Sequence, residues 1–185
     1  GLMIFGAFQL SALFAYLNTV PFLFQDGYGL SASDFGYWVA ANSFASYIGV
    51  QVGAYAARVI KGQWLLAIYS SLGILIGLGL FATSGSGLLV AEAFFMLQLF
   101  IFGAGITTIP TIALYNHGSE AGTAASLLGV VNFSTTSVVS VVYGYLNTDT
   151  SHDIGILISA LFTVSLASLI FITRPWKVPD LRTSS

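Results

Sequence analysis

Apolar residues fall in six long runs along the chain, and polar residues gather in the short gaps between them. The runs are Leu2 to Phe24, Phe35 to Ala57, Trp64 to Thr83, Leu88 to Tyr115, Ala121 to Leu146 and Ile154 to Thr173. Each is near or above the ~20 residues with which a helix crosses the hydrocarbon core of a bilayer. Each is also apolar nearly all round, whereas a helix of a water-soluble core keeps a polar outer face. The pattern predicts an all-α, polytopic membrane protein. Residues 1–185 form one bundle of six transmembrane helices, with a short tail at 174–185.

Composition agrees. Of 185 residues, 56% are hydrophobic and 6% charged, where a soluble domain carries about 25% charged residues. The first run is too long for a signal-peptide core and lacks a basic leader and a cleavage site, so it reads as a helix of the mature protein. Beginning at Gly1 without an initiator Met, the chain reads as part of a longer or trimmed polypeptide. Cysteine is absent, which removes disulfides and thiol chemistry.

Charge matters here through its distribution. Arg58 and Lys61 lie between the second and third runs, and Arg174, Lys177 and Arg182 follow the sixth, so every basic residue falls on one side. Asp26, Asp34, Asp149 and Asp153 fall on the other. By the positive-inside rule, both termini and the loop holding His117 and Glu120 are cytoplasmic, in a multi-pass protein of the inner (plasma) membrane. Trp64 and Trp176 stand at cytoplasmic helix ends, where interfacial aromatics are expected.

Polar residues inside the spans are expensive and face protein or a water-filled cavity rather than lipid. The first span has Gln9 and Asn18, the second Asn42 and Gln51, the fourth Glu92 and Gln98, and the fifth Asn132; the third and sixth have none. Pro21 lies about twenty residues into the first span and Pro110 at a similar distance into the fourth. The order polar, polar, bland, repeated once, predicts two three-helix units of opposite orientation, a 3+3 inverted repeat. On the first helix Ser11, Phe14, Asn18, Phe22 and Gln25 share a stripe; on the fourth, Phe95, Gln98 and Phe102 do, with Glu92 at its edge. Such faces suit a cavity for an apolar or cationic organic molecule, and the alternative for each aromatic is ordinary helix packing. Glu92 is the one carboxylate inside a span, placed either to bind protons or a cationic substrate or to reach the interface. Small residues four apart, at Gly49/Gly53, Gly73/Gly77, Gly122/Ser126 and Ala125/Gly129, predict helix contacts.

Enzyme chemistry finds little support. His117 and His152 lie on opposite sides of the membrane by this topology and cannot share a metal site or a dyad. Sulfur-containing metal frameworks are excluded with cysteine, and no Gly-Lys-Ser phosphate cradle exists. The chain reads as a non-enzyme without a cofactor, and nothing in it calls for a nucleic-acid partner.

Gly103-Ala104-Gly105-Ile106-Thr107-Thr108-Ile109-Pro110, followed by Glu120-Ala121-Gly122-Thr123-Ala124-Ala125-Ser126-Leu127-Leu128-Gly129, resembles the tenth and eleventh helices of major facilitator superfamily transporters. The likeness is greatest to the bicyclomycin and chloramphenicol resistance group of drug:proton antiporters. Ala125 precedes Ser126 where the familiar run has Ser sooner. Gly53 to Lys61 is similar to the superfamily's cytoplasmic loop, with Ala57 where an acid usually stands. The resemblance implies the carboxy-terminal six-helix half of a proton-coupled drug or small-molecule efflux transporter working by alternating access. Its partners would be a small-molecule substrate, protons, the bilayer, and an amino-terminal half or a second copy of the chain. It implies a site lined by the first and fourth helices, which makes Phe14, Asn18, Phe22, Gln25, Glu92, Phe95, Gln98 and Phe102 the candidate substrate-binding residues. The competing reading is a self-contained six-helix protein that forms a homo-oligomeric transporter, channel or scaffold.

Overall fold

The structure, a computed structural model, describes residues 1–114, 121–145 and 150–177. The elements among them are helical: α1 (Leu2–Phe22) with a π-helical turn at Leu23–Gly27, α2 (Ala32–Val59), α3 (Gly62–Ala82), α4 (Leu88–Ile106), the short α5 (Thr108–Leu114), α6 (Ala121–Tyr145), and α7 (Ser151–Ala167) with a π-helical turn at Ser168–Thr173 and a 3-10 turn at Pro175–Lys177. The expected cytoplasmic turn at His117 and Glu120, a cap at Ser119, and the charges at Asp149 and Arg182 lie outside the described residues.

Helix ends follow local chemistry. Ser31 Oγ accepts from the Asp34 backbone N–H at 3.1 Å and donates to the Asp34 carboxylate at 2.7 Å. Thr150 caps α7 in the same way, accepting from the Asp153 N–H at 3.3 Å. Each cap places a carboxylate at the positive end of a helix, so α2 and α7 each start three residues before their apolar runs do. The run from Leu88 to Tyr115 is divided at Thr107. Pro110 has no N–H and its ring collides with the carbonyl of the residue four earlier, and that residue is Ile106, the last of α4. Pro110 instead occupies the first turn of α5, where a missing N–H is harmless.

Among the described residues five helical stretches are long and apolar enough to cross a membrane, and α2 is the long helix not among them. It has 28 residues, but Asn42, Ser43, Ser46, Gln51 and the tyrosines at 37, 47 and 55 dilute its apolarity.

The helices pair in a way that carries the architecture. α2 packs most closely along α4, α3 along α7, α1 along both α6 and α7, and α3 along α4. Exchange α1 with α4, α2 with α6 and α3 with α7, and each pairing becomes another observed pairing. The α2–α4 contact turns into α6–α1, α1–α7 into α4–α3, and α3–α7 maps onto itself. This is the 3+3 inverted repeat in its packing.

Gly1 lies against Thr173, and Gly62 against Ile112 of α5, at one end of the bundle. At the other end the Ser84 and Ser151 hydroxyls are 3.3 Å apart. Arg58, Lys61, Arg174 and Lys177 thus share the first end, and Asp26, Asp34 and Asp153 the second.

Close approach in lipid needs small residues, because lipid tails supply no hydrophobic drive between helices. A methyl built at Gly49 or Gly53 would overlap the Phe100 or Ala104 carbonyl oxygen, and one at Gly103 the Ser46 carbonyl. The α2 and α4 backbones are therefore in direct contact. Gly73 and Gly77 play the same part against Phe162 and Ser159 of α7. The small residues of α6 behave differently: a methyl at Gly122 or Gly129 would meet nothing among the described residues, and Ala125 and Ser126 are exposed.

Candidate functional site

The stripe on α1 meets α6 almost residue by residue. Ser11 Oγ lies 3.2 Å from Thr136 Oγ1 and donates to the Ala7 carbonyl. The Phe14 ring stands edge-on to Phe133, with centroids 6.4 Å apart, and the Asn18 amide bonds the Tyr143 hydroxyl. Phe22, next along, is 62% exposed, and Gln25 is half-buried in the π-helical turn. A polar and aromatic stripe at helical spacing is here largely a helix seam.

On α4, Glu92, Phe95 and Gln98 are buried. Glu92 turns to α2, where Asn42 Nδ2 donates to its Oε1 at 2.8 Å. Phe95 turns to α1, its ring 5.4 Å from Tyr16 and 5.9 Å from Phe24. The Gln98 carbonyl oxygen is buried and accepts nothing from the described residues.

Open space lies on another side. Between α1, α4, α5 and α6 the bundle leaves a cavity of about 160 Å³, whose lining includes Gly6, Gln9, Phe102, Pro110, Leu128 and Asn132. Gln9 Nε2 donates to Ser70 Oγ of α3 at 3.0 Å, which fixes the amide. Asn132 Oδ1 is buried without a partner among the described residues, and Gly6 leaves the room beside it. The wall is apolar with two amides, able to hold an apolar body and hydrogen-bond one polar group.

Of the sequence-predicted site residues only Phe102 lines this cavity. Phe14 and Asn18 sit on the α1–α6 seam, Phe22 faces outward, and Glu92, Phe95 and Gln98 are turned into the bundle. Gln9 and Asn132 were legible only as polar residues inside spans. One signal does single out Gln9: it precedes Pro21 by twelve residues, as Gln98 precedes Pro110, so the two glutamines hold matching places in the two repeats.

The chain is 26% identical over 163 residues to the uncharacterized MFS-type transporter YdgK of Bacillus subtilis (strain 168), a match covering 85% of this chain and 39% of that protein. The chain thus spans about two fifths of the length of the curated relative it matches. This similarity supports the superfamily that residues 103–110 and 120–129 resemble. No protein-family model matches the chain, and no solved structure matches it significantly.

Proposed function

We propose that this chain is one half of a secondary active transporter of major facilitator type, exporting drugs or other small organic molecules by alternating access and coupled to protons. The observation that carries the reading is the exchange pattern of helix pairings, which builds a six-helix unit from two inverted triplets, as in transporters of this architecture. The similarity to a transporter of which the match covers only 39% supports the same reading. The cavity of about 160 Å³ is smaller than the ~300–1,000 Å³ of a drug-sized site, in keeping with one wall of a site that a second bundle completes. An amino-terminal half supplies that bundle in this reading, and a second copy of the chain is the alternative. The basic end of the bundle faces the cytoplasm.

Gln9, Phe102 and Asn132 are the substrate contacts we assign to this half. The test is uptake of ethidium into proteoliposomes holding the full-length parent protein, with and without an imposed pH gradient. Transport driven by the gradient is the expected result, and Asn132→Leu raises the half-saturating ethidium concentration about tenfold, equivalent to ~1.4 kcal/mol. Flux indifferent to the gradient removes proton coupling, and no flux with any organic probe removes the transporter reading.

A further inference from the structure

Three of the buried polar residues that the cavity leaves unused stand on α1, α2 and α4, of which α1 and α2 both pack against α4. Tyr16, Asn42 and Glu92 are each at most 3% exposed. Asn42 spends its amide N–H on Glu92 Oε1. Tyr16 packs on Phe95, one turn along α4 from Glu92. Glu92 Oε2, Asn42 Oδ1 and the Tyr16 hydroxyl all lack a hydrogen-bond partner among the described residues. Oε2 and Oδ1 can only accept while the carboxyl is charged, and neither receives a hydrogen bond from the described residues, the Tyr16 hydroxyl included. The group also holds an unpaired negative charge away from water, a costly arrangement.

We propose that Glu92, Asn42 and Tyr16 form a proton site separate from the substrate cavity, with Glu92 carrying the proton and Asn42 and Tyr16 as positioning residues. The proposal rests on the reading of the chain as a proton-coupled transporter half, and it moves Glu92 from substrate contact to ion carrier. Protonation forms an O–H bond on Oε2, turns an unpartnered acceptor into a donor and removes the net charge; release returns the proton to water. A metal cation fits less well. Desolvated sodium in transporters draws on unwound backbone carbonyls, and α4 is continuous from Leu88 to Ile106 and α2 from Ala32 to Val59, so neither offers any beside the site.

Among the described residues no Lys or Arg stands beside Glu92 to neutralise it. The described Lys and Arg residues lie at the opposite end of the bundle. From α1 the titratable group facing Glu92 is Tyr16, and α2 has none between Tyr37 and Tyr47. From α3, Tyr69 belongs to a different cluster with Ile101 and Ala104. Asp26 and Asp34 are exposed in the acidic end turn. Glu92 is four residues from the start of α4, about 6 Å at 1.5 Å per residue, so the proton exchanges with that acidic end.

The site is tested by infrared difference titration of the full-length parent protein, reading the carboxylic C=O band against pH. The expected result is a reversible band in the wild type that is missing in Glu92→Gln and retained with a displaced midpoint in Glu92→Asp, which guards against misfolding of the Gln variant. Asn42→Ala loses an N–H that favours the charged form, so its band persists to more alkaline pH, with about tenfold tighter proton binding. Asn132→Leu, in the cavity, leaves the midpoint in place. A wild-type spectrum without a band that depends on Glu92 overturns the proposal, and so does a midpoint displaced when sodium replaces choline at constant ionic strength. A protein that titrates in this way but transports nothing overturns the transporter reading alone. Transport whose pH dependence survives Glu92→Gln overturns the proton site alone.

Discussion

The α2–α4 and α1–α6 seams hold equivalent places under exchange of the two helix triplets, and they are built from different materials. Along α2–α4, glycines bring two backbones into contact, and the single side-chain bond shown across the seam, from Asn42 to Glu92, is buried. Along α1–α6, hydroxyls, an amide and two phenylalanine rings meet side chain to side chain, and a cavity remains at the basic end of the contact. The repeat decides which helices meet. Side-chain size then decides whether the meeting is closed or leaves room for something else.

Substitutions can break or sharpen that contrast. Gly53→Val should have the largest effect, because its added atoms collide with the Ala104 carbonyl and the backbone on either side cannot yield. Overpacking of this kind costs about 1–3 kcal/mol, which a thermal melt in detergent reads as a lower midpoint. An unchanged melt would show that the two backbones stand farther apart than described. Asn18→Ala removes one interhelical hydrogen bond of the α1–α6 seam, and such bonds average about 0.6 kcal/mol in membranes. A loss as large as that of Gly53→Val would mean that the side-chain seam is as rigid as the backbone one. Gly122→Ala should be the mildest of the three, within ~0.5 kcal/mol, since a methyl there meets nothing among the described residues. A strong loss in the full-length parent would reveal a second bundle seated on α6.

Much of this was legible in the sequence, and the limits have physical causes. Six apolar runs and the separation of basic from acidic ends are local or additive signals. Gly49, Gly53, Gly73 and Gly77 also read correctly as seams, because a missing side chain has few uses inside a span other than close approach. Orientation about each helix axis was harder. A stripe such as Ser11, Phe14 and Asn18 looks the same whether it faces water, substrate or another helix, and only the position of α6 decides. Glu92 sits at the edge of the Phe95 to Phe102 face by spacing, yet Asn42 draws it toward α2, a pairing between residues fifty apart that periodicity cannot reveal. The α6 pattern of Gly122, Ser126 and Gly129 has the same form as the other seams, and its partner is not among the described residues.

The modest apolarity of α2 has a consequence for how the protein is made. Synthesis delivers α2 to the membrane while α4, its main packing partner, is still unmade, and its own sequence offers a weaker insertion signal than its neighbours. The acidic turn before it and the basic turn after it bracket α2 with charges that fix its direction during that interval. Its place in the bundle becomes secure only once the ribosome has moved on past Ala104.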